Sequence, residues 1–261
     1  MTDITNVTVL GTGVLGSQIA FQTAFHGFSV TAYDISDEVL AQAEKRFAAL
    51  ATTYEKEVAG AADGSAQQAL QRIRYSSDLG AAVADADLVI EAIPENLQLK
   101  QDTYTKLGDL APEKTIFATN SSTLLPSDLV AFTGRPAKFL ALHFANHVWV
   151  NNTAEIMGTT QTDPAVYRTV VDFASAIGMV PIEIKKEKAG YVLNSLLVPL
   201  LDAAAELLVD GIADPETIDK TWRIGTGSPV GPFQIFDIVG LTAGRGVAVR
   251  SGPIGRVRRR P

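Results

Sequence analysis

Three glycines near the start of the chain constrain its fold more than any other feature. Gly11, Gly13 and Gly16 form the pattern G-x-G-x-x-G directly after a short apolar run, and a helical segment follows them. A second apolar run ends on Asp34, eighteen residues after Gly16. A glycine-rich turn alone occurs in many folds. In this strand–turn–helix–strand context, however, it indicates a domain that binds a dinucleotide.

Each glycine of this pattern has its own role. The first makes the tight turn, the second lets the backbone approach the pyrophosphate, and the third lets the helix pack closely on the strand. Val14 and Leu15 lie between the last two glycines. We expect the three glycines and this pair to bind the cofactor. The pyrophosphate would lie at the positive end of the helix. Asp34 would accept hydrogen bonds from the adenine ribose and repel a 2′-phosphate, so NAD is predicted rather than NADP.

Apolar runs alternate with helical segments through most of the chain, which predicts an α/β fold. We expect a Rossmann-type, mostly parallel sheet with helices on both faces, over residues 1–186. A smaller, incomplete all-helical domain is predicted over 187–242, followed by a disordered basic tail over 243–261. Residues 59–66 are predicted as a loop, residues 154–157 as an edge strand, and residues 189–209 as one long helix.

Composition restricts the function further. The chain has a net charge of −7, but residues 240–261 hold six arginines and no acidic residue. The rest holds sixteen basic and twenty-nine acidic residues, and such an acidic body is a poor nucleic-acid binder. The absence of cysteine excludes disulfides and thiolate metal ligands, and no metal site is predicted. No segment has the pattern of a signal peptide or a membrane span, so we expect a cytoplasmic enzyme.

Polar residues follow the predicted strands at the carboxyl edge of the sheet, where ligands bind in open parallel sheets. Residues 91–96, residues 120–122 and His143 occupy such positions. His143 is the best candidate for a general base, because an imidazole beside the cofactor can take the hydroxyl proton of an alcohol while hydride leaves. Glu155 is the nearest acid beyond it along the chain, and would fix the imidazole tautomer.

Residue chemistry alone leaves four other side chains open. His147 is a competing base, although its loop position favours exposure to solvent, and His26 lies where the first helix ends. Ser122 could donate to a substrate oxygen, or it could cap a turn. Asn194 lies in a nearly all-apolar helix, where burying an amide without partners is costly. It therefore meets either the active site or a neighbouring backbone, and the two interpretations are equally supported.

Taken together, these motifs resemble the bacterial NAD-dependent 3-hydroxyacyl-CoA dehydrogenases of the short, single-function 3-hydroxybutyryl-CoA type. The matching features follow one another from residue 6 to about residue 242: GTGVLGSQIA, Asp34 at its strand end, EAIPENLQLK, TNSST, LHFANH, Glu155, EKAGYVLNSLLVP and GSPVGPFQIFD. The resemblance implies reversible hydride transfer from the 3-hydroxyl carbon of an acyl-CoA substrate to NAD, in fatty acid metabolism.

The resemblance also implies roles for individual residues. The catalytic histidine of the family falls on His143 and its orienting glutamate on Glu155. The serine and asparagine that contact the substrate fall on Ser122 and Asn194. The further cofactor contacts of the family fall on Glu95, Lys100, Ser122 and Asn146.

Three departures from the family affect the predicted acyl pocket. The family has proline after the asparagine of His-Phe-x-Asn, where this chain has His147. It has Pro-Gly before the long helix that carries the asparagine, where this chain has Ala189 and Gly190, and Trp149 is unusual in its loop. We expect residues 243–261 to match nothing in the family, including its late lysine near the cofactor. Apolar surface of the helical domain would then be exposed to solvent, and we would expect a weakened homodimer and low activity.

Two alternative functions stay open at this stage. A related NAD enzyme of the same architecture acts on a sugar acid, as L-gulonate 3-dehydrogenase does. The His-Phe-Ala-Asn run and the long helix after Asp34 favour the acyl-CoA substrate instead. A chain without the C-terminal helices of the family would alternatively bind NAD but be impaired in catalysis.

Overall fold

The chain divides into two compact units. The first ends at Tyr191 and the second begins at Val192. A computed structural model describes residues 3–239, so the predicted tail over 243–261 lies outside the described residues. The domain boundary predicted from the sequence, between residues 186 and 187, lies five residues before this division.

An eight-stranded sheet forms the centre of the first unit, with the strand order β3-β2-β1-β4-β5-β6-β7-β8. Its strands are β1 (Asn6–Leu10), β2 (Ser29–Tyr33), β3 (Ile73–Ser76), β4 (Leu88–Glu91), β5 (Ile116–Thr119), β6 (Phe139–Phe144), β7 (Thr153–Gly158) and β8 (Val180–Ile184). Strands β1 to β6 pair in parallel, so their carboxyl ends lie along one edge. Strand β7 runs antiparallel to β6, and β8 is parallel to β7. The predicted Rossmann-type, mostly parallel sheet is confirmed.

Among the described residues of this unit, six α-helices accompany the sheet. They are α1 (Val14–Phe25), α2 (Asp37–Glu57), α3 (Ser65–Leu70), α4 (Leu79–Val83), α5 (Leu97–Leu110) and α6 (Pro164–Ala176). Four of them start at a side chain that accepts a hydrogen bond from a backbone N–H of the first turn: Ser36, Asp78, Asn96 and Asp163. Helix α1 differs, because its N-cap is Gly13 and no side chain caps it.

Helix α1 is the most deeply buried helix of the first unit and fixes the position of the glycine loop. Its nine consecutive residues from Gly16 to Ala24 are all buried, so it has no face exposed to solvent along this stretch. Helix α2 is amphipathic instead, and buries residues three or four apart along one side, with Phe47 at the centre of that face. Burial of a side chain of this size stabilises a fold by roughly 1.5–3 kcal/mol. Because the glycine loop continues into α1, the packing of the helix also holds the loop.

The structure differs from the sequence prediction at three elements. Residues 59–66, predicted as a loop, contain a 3₁₀ turn at Ala61–Asp63 and the start of α3. Strand β7 was wrongly predicted as an edge strand, since β8 pairs with its other side. The long helix predicted after the domain boundary begins only at Leu193. The two residues Gly190 and Tyr191 have φ angles of 80° and 52°, which lie outside the right-handed helical region.

The described part of the second unit is all-helical, as predicted. It consists of α7 (Leu193–Val209), α8 (Pro215–Thr226) and α9 (Pro232–Val239). Asp219 of α8 accepts hydrogen bonds from the backbone N–H groups of Phe233 and Gln234 at 2.7 and 3.0 Å, which ties the start of α9 to α8. Within residues 3–239, we find no helix with the length and apolar character needed to cross a membrane.

Candidate active site

The residue predicted as the base, His143 on β6, lies directly opposite Glu155 on β7. The two are partners in the antiparallel register, which places their side chains on the same face of the sheet. The distance from His143 Nδ1 to Glu155 Oε2 is 2.9 Å, and the side chains are only 5% and 4% exposed. Because an ionised carboxylate accepts hydrogen bonds and cannot donate them, Nδ1 of the neutral imidazole carries the proton and Nε2 presents a lone pair.

Ser122 approaches the other ring nitrogen of His143. Its Oγ lies 3.1 Å from Nε2, and with the lone pair on Nε2 the hydroxyl is the donor. Ser122 follows β5, one strand away from β6, at the carboxyl edge of the sheet. A substrate oxygen that bound Nε2 would therefore lie next to the Ser122 hydroxyl.

Tyr191 also belongs to this group, although the sequence analysis did not single it out. Its ring lies flat against the imidazole of His143, with ring centroids 4.3 Å apart and an interplanar angle of 14°. Its hydroxyl donates to the backbone carbonyl of Ser121 at 2.8 Å. No periodicity or motif rule connects an aromatic residue before the Asn194 helix with a histidine 48 positions earlier, so this contact required the structure.

The glycine loop is tightly packed at two positions and open at the third. A β-carbon at Gly16 would lie 2.0 Å from the carbonyl oxygen of Gly11, and one at Gly11 would lie 2.6 Å from the carbonyl oxygen of Ala92. At Gly13 a β-carbon would meet no atom within 4 Å. Packing within the protein therefore does not explain glycine at this position, whereas close approach of a dinucleotide pyrophosphate does.

Asp34 connects the end of β2 to the glycine loop. Its Oδ2 accepts hydrogen bonds from the backbone N–H and hydroxyl of Thr12 at 2.7 and 2.6 Å, and its Oδ1 accepts from the N–H of Ile35 at 2.8 Å. A carboxylate oxygen accepts about two hydrogen bonds, so Oδ1 retains capacity for a ribose hydroxyl. The sequence predicted contact with the ribose but not the tie to Thr12.

Lys100 is buried between two carboxylates. Its Nζ lies 2.6 Å from Glu91 Oε1 and 3.3 Å from Glu95 Oε2, and its side chain is 1% exposed. Glu91 is fully buried and also accepts hydrogen bonds from the N–H of Ile93 at 3.0 Å and from the hydroxyl of Thr119 at 2.8 Å. These contacts compensate for the removal of both charges from water. Sequence analysis assigned no role to Glu91, whose only signal is that an acidic residue ends an apolar strand.

Glu95 holds the turn that follows β5. Its Oε1 accepts from the Ser121 hydroxyl at 2.6 Å and from the N–H and hydroxyl of Thr123 at 2.9 and 2.8 Å. Burial raises the pKa of Glu95, but the hydrogen bonds from Ser121 and Thr123 and the charge of Lys100 together outweigh it and lower the pKa to about 2. Glu95 is therefore ionised at neutral pH, and it fixes the turn that carries Ser122.

A cavity of about 260 Å³ opens beside these groups at the carboxyl edge of the sheet. Seven of the predicted cofactor residues line it: Gly13, Val14, Leu15, Gly16, Glu95, Lys100 and Ser122. A larger cavity of about 720 Å³ lies along α8 in the second unit, and none of the predicted site residues lines it. The smaller cavity lies where the pyrophosphate of a dinucleotide would bind, because it combines the open face of Gly13 with the uncapped start of α1.

Four of the remaining predicted residues lie outside this cavity. Asn146 is exposed and does not line it. Asn194 lies in the first turn of α7, in the second unit, so its contact with substrate stays a prediction. His26 is the C-cap of α1. His147 is exposed and has a φ of 59°, which a proline ring cannot adopt, so this loop follows a path that the usual proline of the family does not permit.

Two family models match the chain. The model of the 3-hydroxyacyl-CoA dehydrogenase NAD binding domain matches residues 6–188, and that of the 3-hydroxyacyl-CoA dehydrogenase C-terminal domain matches residues 190–259. The second match extends beyond residue 242. The expectation that the family resemblance ends there therefore does not hold.

Individual relatives agree with the family models. A solved structure of a diketoreductase, described as performing substrate-directed dual catalysis of dicarbonyl compounds, is 80% identical to this chain with a TM-score of 0.93, and the match covers 97% of this chain and 89% of that one. The solved (S)-3-hydroxybutyryl-CoA dehydrogenase of Ralstonia eutropha is 30% identical with a TM-score of 0.85, covering 94% and 86%. Human mitochondrial hydroxyacyl-coenzyme A dehydrogenase is 36% identical over 242 residues, which are 91% of this chain and 77% of the relative.

The packing of the glycine loop predicts that two glycine-to-alanine substitutions affect different properties, one the stability of the fold and the other the affinity for NAD. Gly16→Ala should lower the melting temperature, because its β-carbon overlaps the Gly11 carbonyl and overpacking of this kind typically costs about 1–3 kcal/mol or more. Gly13→Ala should melt like the unmodified protein but bind NAD at least about tenfold more weakly, because the methyl group occupies the open face that the pyrophosphate approaches. Differential scanning fluorimetry and titration calorimetry measure the two properties separately. Unchanged NAD affinity in Gly13→Ala would place the pyrophosphate elsewhere.

Proposed function

The chain belongs to the 3-hydroxyacyl-CoA dehydrogenase family, and from this premise we propose that His143 is the general base that takes the proton of the substrate 3-hydroxyl group while NAD accepts the hydride. Enzymes of this family are NAD-dependent, and an acyl-CoA substrate is consistent with the membership. The observation that carries the proposal is the buried contact between His143 Nδ1 and Glu155, which leaves Nε2 as the proton acceptor beside Ser122.

The residues at the carboxyl edge of the sheet fit NAD. When bound, it supplies the acceptor for the hydride that leaves the hydroxyl-bearing carbon. The N-terminal turn of α1 and the open face of Gly13 would hold the pyrophosphate. Asp34 would accept a hydrogen bond from the adenine ribose, and Lys100 and Glu95 line the part of the cavity between the glycine loop and Ser122.

Proton transfer uses the residues on β5, β6 and β7. Nε2 of His143 accepts the proton of the substrate hydroxyl as the carbonyl forms, and the resulting imidazolium is stabilised by the Glu155 carboxylate at Nδ1. The Ser122 hydroxyl donates to the same substrate oxygen and orients it toward Nε2. In the reverse direction the imidazolium returns the proton to the ketone oxygen. Asn194 is proposed to contact the substrate as well, on the resemblance alone.

A second candidate substrate class is a free dicarbonyl compound. It is favoured by the 80% identity to the diketoreductase, which acts on dicarbonyl compounds. The two classes share one chemical pattern, since a 3-ketoacyl thioester is itself a dicarbonyl compound with its ketone β to the thioester carbonyl. The proposed machinery on β5, β6 and β7 would reduce either ketone, and the classes differ only in what is attached beyond the second carbonyl.

Two proposals concern the whole protein. The first is a cytoplasmic location, although the human relative is mitochondrial. The second is a family-type homodimer that is weakened by residues 243–261, which lie outside the described residues.

Substrate class is tested by comparing kcat/KM for NADH-dependent reduction of acetoacetyl-CoA and of acetylacetone, a free diketone. We expect the CoA thioester to be preferred by at least tenfold. The reverse order would support the dicarbonyl candidate instead. Turnover of neither compound, or NADH formation with L-gulonate alone, would contradict both. Each assay is repeated with His143→Gln, so that any turnover that does not depend on the proposed base is recognised.

The base itself is tested by separate substitution of the two neighbouring histidines. His143→Gln should lower kcat by about 10²–10⁴-fold, the usual contribution of general acid–base catalysis, and should leave the Kd for NAD unchanged. His147→Gln is the matched control and should keep nearly full activity, because that side chain is exposed. Glu155→Gln should fall between them, since it removes only the orientation and charge at Nδ1. A larger loss of kcat in His147→Gln than in His143→Gln would identify His147, on the loop, as the base instead.

A further inference from the structure

We propose that Tyr191 is a positioning residue that holds the imidazole of His143 at the tilt required for proton transfer. The proposal rests on the role of His143 as the base. The observation behind it is the flat stack of the two rings, whose centroids are 4.3 Å apart with an angle of 14° between the planes. The ring of Tyr191 is buried, with 1% of the residue exposed, so solvent does not compete for this face of the imidazole.

The stack supplies a restraint that the hydrogen bonds of His143 do not. Glu155 and Ser122 bind Nδ1 and Nε2, and both atoms lie in the plane of the imidazole. Hydrogen bonds weaken steeply only when their angle falls below about 120°, so the ring could tilt by a limited rotation about its Cβ–Cγ bond and keep both partners. A second ring in contact with its face opposes this tilt. The lone pair of Nε2 lies in the ring plane and is inclined to the Cβ–Cγ bond, so the tilt turns it away from the substrate hydroxyl.

Tyr191 is itself fixed to the turn that carries Ser122. Its hydroxyl donates to the carbonyl of Ser121 at 2.8 Å, and the N–H of Gly190 donates to the carbonyl of Ser122 at 3.2 Å. The tyrosine ring and the Ser122 hydroxyl, which both contact the His143 imidazole, are therefore held by one turn. A displacement of that turn would move both contacts together.

The backbone of Tyr191 supports a specific role for this ring. Its φ of 52° lies in the left-handed region, which residues with a β-carbon adopt infrequently. Such conformations persist where the surrounding structure enforces them, and they cluster at functional sites. In this chain the left-handed turn at Gly190 and Tyr191 ends the first unit and directs the aromatic ring onto the base.

A purely structural role for Tyr191 makes a different prediction. The ring also packs in a small apolar cluster with Ala141 and Met157, so its loss would lower the melting temperature in either case. If packing were its only role, the turnover of the molecules that remain folded would be unchanged. The positioning role instead predicts a loss of kcat in folded protein, with no change in NAD affinity.

Two substitutions separate these roles. Tyr191→Phe keeps the stacked ring and removes the hydroxyl, and should retain kcat within about threefold. Tyr191→Leu removes the ring but keeps an apolar side chain, and should lower kcat by about 10- to 100-fold, the scale of misplacement at a reacting group. The Kd for NAD should stay within twofold in both. The proposal is overturned if folded Tyr191→Leu turns over within threefold of the unmodified protein.

A measurement on the unmodified protein covers the case in which Tyr191→Leu does not fold. In a proton NMR spectrum, the ring current of the stacked aromatic face should shift the imidazole resonances of His143 upfield. These resonances are assigned by their absence in His143→Gln. Tyr191→Phe keeps the ring and should keep this shift. Unshifted resonances would overturn the proposal. The His143→Gln assay separates failure of the proposed base from failure of the positioning role. If His143→Gln is active, His143 is not the base and the positioning role of Tyr191 falls with it. If His143→Gln is inactive but Tyr191→Leu is active, only the positioning role is contradicted.

Discussion

The proposed chemistry depends on one hydrogen bond, from His143 Nδ1 to the buried carboxylate of Glu155. That bond exists because β7 reverses direction beside β6 and pairs in a register that sets the two residues opposite each other. A slip of one residue would turn Glu155 to the other face of the sheet and leave His143 without an acceptor for its Nδ1 proton. An unsatisfied buried polar group costs about 1–3 kcal/mol, so the fold and the site favour the same register.

The cofactor half and the reacting half of the site share one turn. Glu95 accepts hydrogen bonds from Ser121 and Thr123 on either side of Ser122, and Lys100 lies between Glu95 and the fully buried Glu91 of β4. The charged groups that line the dinucleotide cavity therefore also fix the serine beside the base.

The sequence predicted those features that follow from local rules, and missed those that depend on tertiary contacts. The glycine pattern and Asp34 at its strand end each follow from neighbours within a few positions, and the structure contains both. The position of β7 inside the sheet depends on β8, which lies more than twenty residues later. The stack of Tyr191 on His143 and the burial of Glu91 against Lys100 join separate elements, and no periodicity indicates them. Contact of Asn194 with substrate is still known only as a prediction from resemblance.

On the proposed mechanism, Glu155 fixes the tautomer of His143 so that Nε2 is the proton acceptor. Nitrogen-15 NMR of the histidine ring, at a pH at which the imidazole is neutral, tests this directly. We expect Nδ1 of His143 to have the chemical shift of a protonated nitrogen and Nε2 that of an unprotonated one, and we expect this preference to weaken in Glu155→Gln. A His143 ring protonated at Nε2, or one whose two tautomers are equally populated in the unmodified protein, would contradict it.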